Sequence, residues 1–245
     1  MIWESWPWKK DLERRSVALS KRTNQRRWPE ASLANVEQDV FLSAYIIRKL
    51  LDAKKLSDEV ESIALHARRS IRTGQAPDIM NWHRLDEFYD LVHAAAVDIC
   101  LRGFCDQIIH SFVFVVVASA PGLEGFYVAS DRERSSGLFY FDIKEVIRIL
   151  KRIVRDDIVS SECVRDQTTG EMKVVRKSNR ISATEMAAVR QIAADCGSNQ
   201  KRRGGHRCQT SQLSSLWNVY QTAERVSTSE RYIRTTLRAA IDQRR

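Results

Sequence analysis

The 245-residue chain is short of the residues that usually announce a chemistry. It has four prolines and nine glycines, and none of the glycines forms a glycine-rich phosphate loop. No GxSxG and no HExxH occurs, so the common serine-hydrolase and zinc-protease signatures are absent. The five cysteines, Cys100, Cys105, Cys163, Cys196 and Cys208, are odd in number and include no CxxC pair. That pattern favours reduced thiols over a disulfide framework. Cys196, His206 and Cys208 are spaced too loosely for a zinc site, and no metal or cofactor is expected. The longest apolar run, Ser111 to Ala120, is ten residues, whereas a membrane-spanning helix needs about twenty. The N-terminus MIWESWPWKK has no apolar segment of the signal-peptide kind. These absences lead to the expectation of a soluble cytoplasmic protein that does not engage membranes.

What is present is charge, unevenly divided. The formal net charge is +9. Residues 1–30 hold eight basic and four acidic residues, and residues 196–245 hold ten and three, which leaves residues 31–195 at −2. A basic end suits a phosphate backbone, and nucleic acid is the expected partner. A solubilising tail is the plainer alternative. Residues 1–29 also carry Trp3, Trp6, Trp8 and Trp28. Such rings need cover, so this segment is expected to pack across the domain as a helix or lid, with docking on a membrane surface as the alternative.

Hydrophobic periodicity predicts the rest. Leu33, Val36, Val40, Ala44, Ile47 and Leu51 recur every three or four residues and predict a helix beginning near Pro29. Residues 57–72 read either way: Ser57 can cap a helix, yet Ile63, Leu65 and Ala67 alternate. Residues 82–100 are expected to form a second amphipathic helix through Leu85, Phe88, Val92, Ala95, Ala96 and Ile99, with His83, Asp86, Asp90 and His93 on its polar side. Those four could ligate a metal, but polar residues opposite an apolar stripe are what any surface helix shows. FVFVVVAS (112–119) predicts a strand buried on both faces, followed by strands FYVAS (126–130) and LFYF (138–141). Asp142 and Glu145 make a capping box for a helix carrying Ile143, Val146, Ile147, Leu150 and Val154. Strands are expected at 158–164 and 172–176, and a capped helix from Ser182 to about Gly197.

The expected fold is therefore α+β, with amphipathic helices on a small antiparallel sheet in a domain over residues 30–197. A basic linker follows (198–212) and then a helical extension (213–245).

Two stretches resemble known families. Residues 223–240, AERVSTSERYIRTTLRAA, resemble a helix-turn-helix. That resemblance implies Ala223 at the helix–helix contact, Ser229 capping the second helix, and Ile233 and Leu237 facing the core. It puts Arg231, Arg234 and Arg238 outside, able to reach phosphates or guanine edges, with Lys201, Arg202, Arg203 and Arg207 neutralising phosphates. The alternative is an ordinary helical hairpin. Arg102, Asp106 and His110 follow one another at four-residue spacing. They resemble the motif of HEPN-type ribonucleases, which implies that Arg102 and His110 of two protomers act on an RNA 2′-hydroxyl and phosphate. The competing account has the helix break at Gly103, a short second piece bury Phe104 and Ile108, and His110 end it before a strand. A third reading is an interaction module, with a protein partner or a second copy of the chain as its target.

Overall fold

The computed structural model describes residues 2–180 and 186–187. The chain divides into two compact units, Met1–Asp157 and Ile158–Arg245. The first holds helices α1 (Trp6–Arg22), α2 (Glu30–Asp52), α3 (Asp58–Glu61), α4 (Leu85–Phe88), α5 (Leu101–Ile109) and α6 (Ile143–Val154). It also holds strands β1 (Ala64–Ile71), β2 (Ala95–Cys100), β3 (Ser111–Ser119), β4 (Gly122–Ser130) and β5 (Gly137–Asp142). The strands form one antiparallel sheet in the order β2-β1-β5-β4-β3. The fold class is α+β.

Helices α1 and α2 follow from their sequences. Pro7 sits in the first turn of α1, where its missing N–H costs nothing, and Lys21 and Arg22 lie in the last turn, where the helix dipole favours them. Lys9, Leu12, Ser16 and Leu19 are buried at helical spacing, which turns the Trp-rich segment into a packed helix. In α2 the predicted stripe is buried from Val36 to Leu51, and Pro29 precedes the first turn. Arg15 ties the two helices together, reaching Asp11 and Asp39 at 3.1 Å each.

Helices α1, α2, α5 and α6 cover one face of the sheet. Leu65 and Ala67 of β1, Phe126 and Val128 of β4, and Phe139 and Phe141 of β5 join the helical stripes in one core. Its centre is aromatic: Phe126 lies 5.2 Å from Phe114 and 5.7 Å from Phe141, and Phe104 of α5 meets Phe141 edge-on at 5.0 Å. Helix α6 opens at Asp142 as expected, but the Asp142 carboxylate accepts from the N–H of Lys144, one residue short of the bond to Glu145 that a capping box makes. Glu145 does not complete the box; its carboxylate takes Arg148 at 2.7 Å and the backbone N–H of His66.

Two expectations are overturned. Residues 82–100 are not a helix. They give the one-turn α4, a loop and strand β2. Val97 and Ile99 point into the main core, and the six residues Ala95–Cys100 pair with β1 from Arg69 to Ala64. The apolar positions fit a period of 3.6 over the whole segment, but its last third also fits a period of 2, and the unpaired flank of β1 decides between them. Trp82, Leu85, Phe88, Tyr89 and Leu91 instead form a second, smaller core with Val113, Ala129 and Leu138 on the opposite face of the sheet. The second correction is β3, which is uniformly apolar yet lies at an edge; only Val113 is fully buried.

The second unit contains the hairpin β6 (Ser160–Arg165) and β7 (Met172–Ser178), with Asp166 accepting from the Thr168 and Thr169 N–H groups in the turn. The expected helix over 182–197, the linker 198–212 and the hairpin 213–245 lie outside the described residues, apart from helical Met186 and Ala187.

Candidate functional site

Alternation along each strand decides what the second face of the sheet presents. Arg68 lies one residue beyond core-facing Ala67, Tyr140 between Phe139 and Phe141, Tyr127 between Phe126 and Val128, and Val115 between Phe114 and Val116. All four point away from the helices. Register then lines them up. Ala96, Arg68, Tyr140, Tyr127 and Val115 are successive cross-strand partners across all five strands. At about 4.8 Å per strand, Arg68 and Val115 stand about 14 Å apart.

Three side chains in this row form a continuous stack. The Arg68 guanidinium stacks 4.4 Å from the Tyr140 ring centroid, and the Tyr140 and Tyr127 centroids are 5.0 Å apart. Gly125 makes room for them: a β-carbon there would meet the Tyr140 ring at 2.8 Å and the Phe141 carbonyl oxygen at 2.2 Å. Arg68 is exposed, and both tyrosines are half-buried. Burial, then the carboxylate of Asp142, pushes the Tyr140 hydroxyl up, so it stays a neutral donor at physiological pH. The small second core covers the other end of this face, around Val113, Ala129 and Leu138. The neighbouring position on β1 is His66, whose ring nitrogen lies 2.5 Å from Asp98 on β2; both are exposed.

Chemically, the row offers flat aromatic and guanidinium surfaces on which planar rings stack. It does not by itself attract phosphate. Asp98 offsets His66, and Asp142 and Glu124 both lie near enough to act on Tyr140.

The residues singled out by the sequence fare differently. Arg102 donates to Asp52 at 2.9 Å, Arg48 bridges Asp52 at 3.3 Å and Asp106, and this four-charge cluster joins the end of α2 to α5. Burial opposes it, yet the two guanidinium groups hold the Asp52 carboxyl below the usual carboxylate range. His110 caps the C-terminus of α5 and is exposed. Phe104 and Ile108 are buried as the competing account requires, but the break precedes Gly103: Cys100 is the N-cap, accepting from the Gly103 N–H. The structure thus brings Arg102 and Asp106 together through α2 and leaves His110 apart from their ion pairs. The four residues expected on a polar helix face do not share one. Asp90 instead closes a local turn with His93, its oxygen 2.9 Å from the ring nitrogen. Among the described residues no group of three or more His, Cys, Asp or Glu is placed to hold a metal ion. Cys100, Cys105 and Cys163 are free thiols, and burial pushes the Cys105 thiol up. No described helix is long and apolar enough to cross a membrane. Lys201, Arg202, Arg203, Arg207, Arg231, Arg234 and Arg238 lie outside the described residues.

Comparison with family models, with curated proteins and with solved structures finds no match for the chain. The site therefore rests on its own geometry. Sequence reasoning passed over Arg68, Tyr127 and Tyr140, although FYV and FYF each set a tyrosine between two core-facing residues. The period-2 rule applied to the expected strands assigns both rings to the outer face.

Proposed function

We propose that the protein binds nucleic acid, as a DNA-binding regulatory or accessory protein. The observation that carries this reading is the charge division: +7 within residues 196–245 against −2 over residues 31–195. Phosphate neutralisation falls to Lys201, Arg202, Arg203 and Arg207, and groove contacts to Arg231, Arg234 and Arg238 in the helix-turn-helix-like stretch. The sheet face adds a complementary element. The Arg68–Tyr140–Tyr127 row can stack exposed bases but sits among carboxylates, so long-range attraction has to come from the basic segment.

A salt titration of the full chain tests this. Binding to a labelled duplex and to a labelled single strand is measured from 50 to 300 mM salt for the wild type and for the K201A/R202A/R203A/R207A variant. Removing one phosphate-bound cation lowers the slope of log K against log salt by about 0.9 on duplex, so the variant's slope should fall by up to about 3.6. An unchanged slope and affinity would refute the reading. In the same assay Tyr127→Ala should weaken single-strand binding by about 5- to 100-fold while leaving duplex binding alone.

A further inference from the structure

The two edges of the five-stranded sheet are built differently. β2 is six residues long and carries the exposed Asp98 in its middle, a charge of the kind that keeps an edge from pairing with foreign strands. β3 has no such guard. Its nine residues, SFVFVVVAS, include no charge, no proline and no glycine. Its inner side pairs with β4. Among the described residues no other hydrogen bond reaches the backbone of residues 112–119. An uncharged apolar edge of this length is a template for another strand.

The flank of this edge is apolar as well. Phe41 of α2 packs against Phe114 of β3, with ring centroids 5.0 Å apart. On the same side of α2, Tyr45 and Leu42 are left 45% and 36% exposed, although both are large and apolar. At 100° per residue, Phe41, Tyr45, Gln38, Lys49 and Leu42 lie within one 100° arc of the helix, with exposed Glu37 at its margin.

We propose that β3 pairs antiparallel with β3 of a second copy of this chain, about a two-fold axis normal to the sheet. The result is a continuous ten-stranded sheet, with the two α2 helices meeting antiparallel beside the join. Self-complementarity argues for a second copy as the occupant. A two-fold contact sets every residue against itself or its mirror position, so it tolerates no concentration of one charge on its axis. β3 brings none. On α2 a crossing centred on Ser43 sets Phe41 against Tyr45 of the other copy, and Glu37 against Lys49 of the other copy. Phe41 lies against Phe114, next to the midpoint of β3, so the strand and the helix share a common centre. Pairing would satisfy the outer amides of β3 and cover Tyr45 and Leu42 in one step. This inference is independent of nucleic-acid binding.

Sedimentation of the full chain from 1 to 100 µM tests it. The wild type should sediment at about twice its 28.3 kDa monomer mass. Val115→Lys places like charges beside the axis and should give a monomer. Because Val115 lies in the sheet itself, Lys49→Glu on α2, where Lys49 is half-buried with its ammonium 5.4 Å from the Tyr45 ring centroid, provides a second variant that leaves the sheet intact. It sets two carboxylates against each other twice per dimer and should raise the dimer dissociation constant on the order of tenfold. E37K/K49E exchanges the charges and should restore it. A wild type that stays monomeric at 100 µM overturns the proposal, as does a dimer indifferent to both single variants or a K49E defect that the exchange does not rescue.

Discussion

Replacing Asp156 by alanine should be among the most damaging single changes in the first unit, because one buried carboxylate organises the meeting of three helices. Asp156 follows α6 and is 2% exposed. It accepts from the Ser57 N–H at 2.8 Å and from the Ser57 hydroxyl at 2.6 Å. Ser57, fully buried, in turn caps α3 through its hydroxyl oxygen, which accepts from the Val60 N–H at 3.4 Å. Lys9 of α1, also buried, donates to the Asp156 main-chain carbonyl and lies 3.2 Å from the Asp157 carboxylate. The side-chain deletion leaves two buried donors without their charged acceptor. At about 1.5–3 kcal/mol for each bond to a charged group, and with some relaxation, the cost is about 4 kcal/mol. For a unit of this size that lowers the melting temperature by about 8–16 °C. Asp156→Asn keeps the shape and one acceptor and should cost about 1–2 kcal/mol. Urea unfolding followed by tryptophan fluorescence measures both, the midpoint moving at constant slope. Ser57→Ala removes the hydroxyl and its cap, and its cost must not add to that of Asp156→Ala: the double variant should be at least about 1 kcal/mol more stable than the sum of the singles predicts. Additive costs, or a loss under about 1 kcal/mol for Asp156→Ala, would refute this account of the junction.

Two further changes probe the sheet. Burial pushes the Tyr89 hydroxyl up to about 12, and it donates to the Arg134 carbonyl at 2.8 Å. The unfolded chain loses this proton near pH 10 while the folded chain keeps it, so the contribution of Tyr89 is complete below pH 10 and is lost between about pH 10 and pH 12. The amount is roughly 2–3 kcal/mol. The alkaline fall in stability should therefore be shallower in Tyr89→Phe, measured as the difference from wild type so that lysines and other tyrosines cancel; parallel pH profiles would contradict the buried placement. Gly122 has φ +144°, and a β-carbon there would lie 2.0 Å from the Thr23 carbonyl oxygen. Backbone opposes backbone at that point, so Gly122→Ala should cost more than about 3 kcal/mol in urea unfolding, and a loss under about 1 kcal/mol would refute the close approach of α1 to the β3–β4 turn.

Much of this architecture is local physics and is legible residue by residue. The stripe from Val36 to Leu51 makes α2 a helix whatever it packs against. Asp142 caps α6, and alternation in FYV and FYF settles which face each tyrosine takes. Ser57 is a possible cap from its neighbours, but the alternation that follows leaves 57–72 open, and the structure uses both, with Ser57 capping the one-turn α3 and β1 following. Partners distant in sequence are another matter. No local pattern joins Ser57 to Asp156, 99 positions away, or separates helix from strand over residues 95–100, where both periods fit and the free flank of β1 tips the balance. The composition of β3 reads as a strand buried on both faces, but position in a sheet belongs to strand order rather than to the strand, and this order leaves β3 outermost. The same order inserts β5 between β1 and β4, which alone brings Arg68 onto Tyr140. The sequence by itself determined α2, α6, the extended runs of β3, β4 and β5 and where charge accumulates, since these depend on near neighbours and on counting. The tertiary structure decided which surfaces remain open, because exposure is set by what lands alongside, and that follows from long-range pairing.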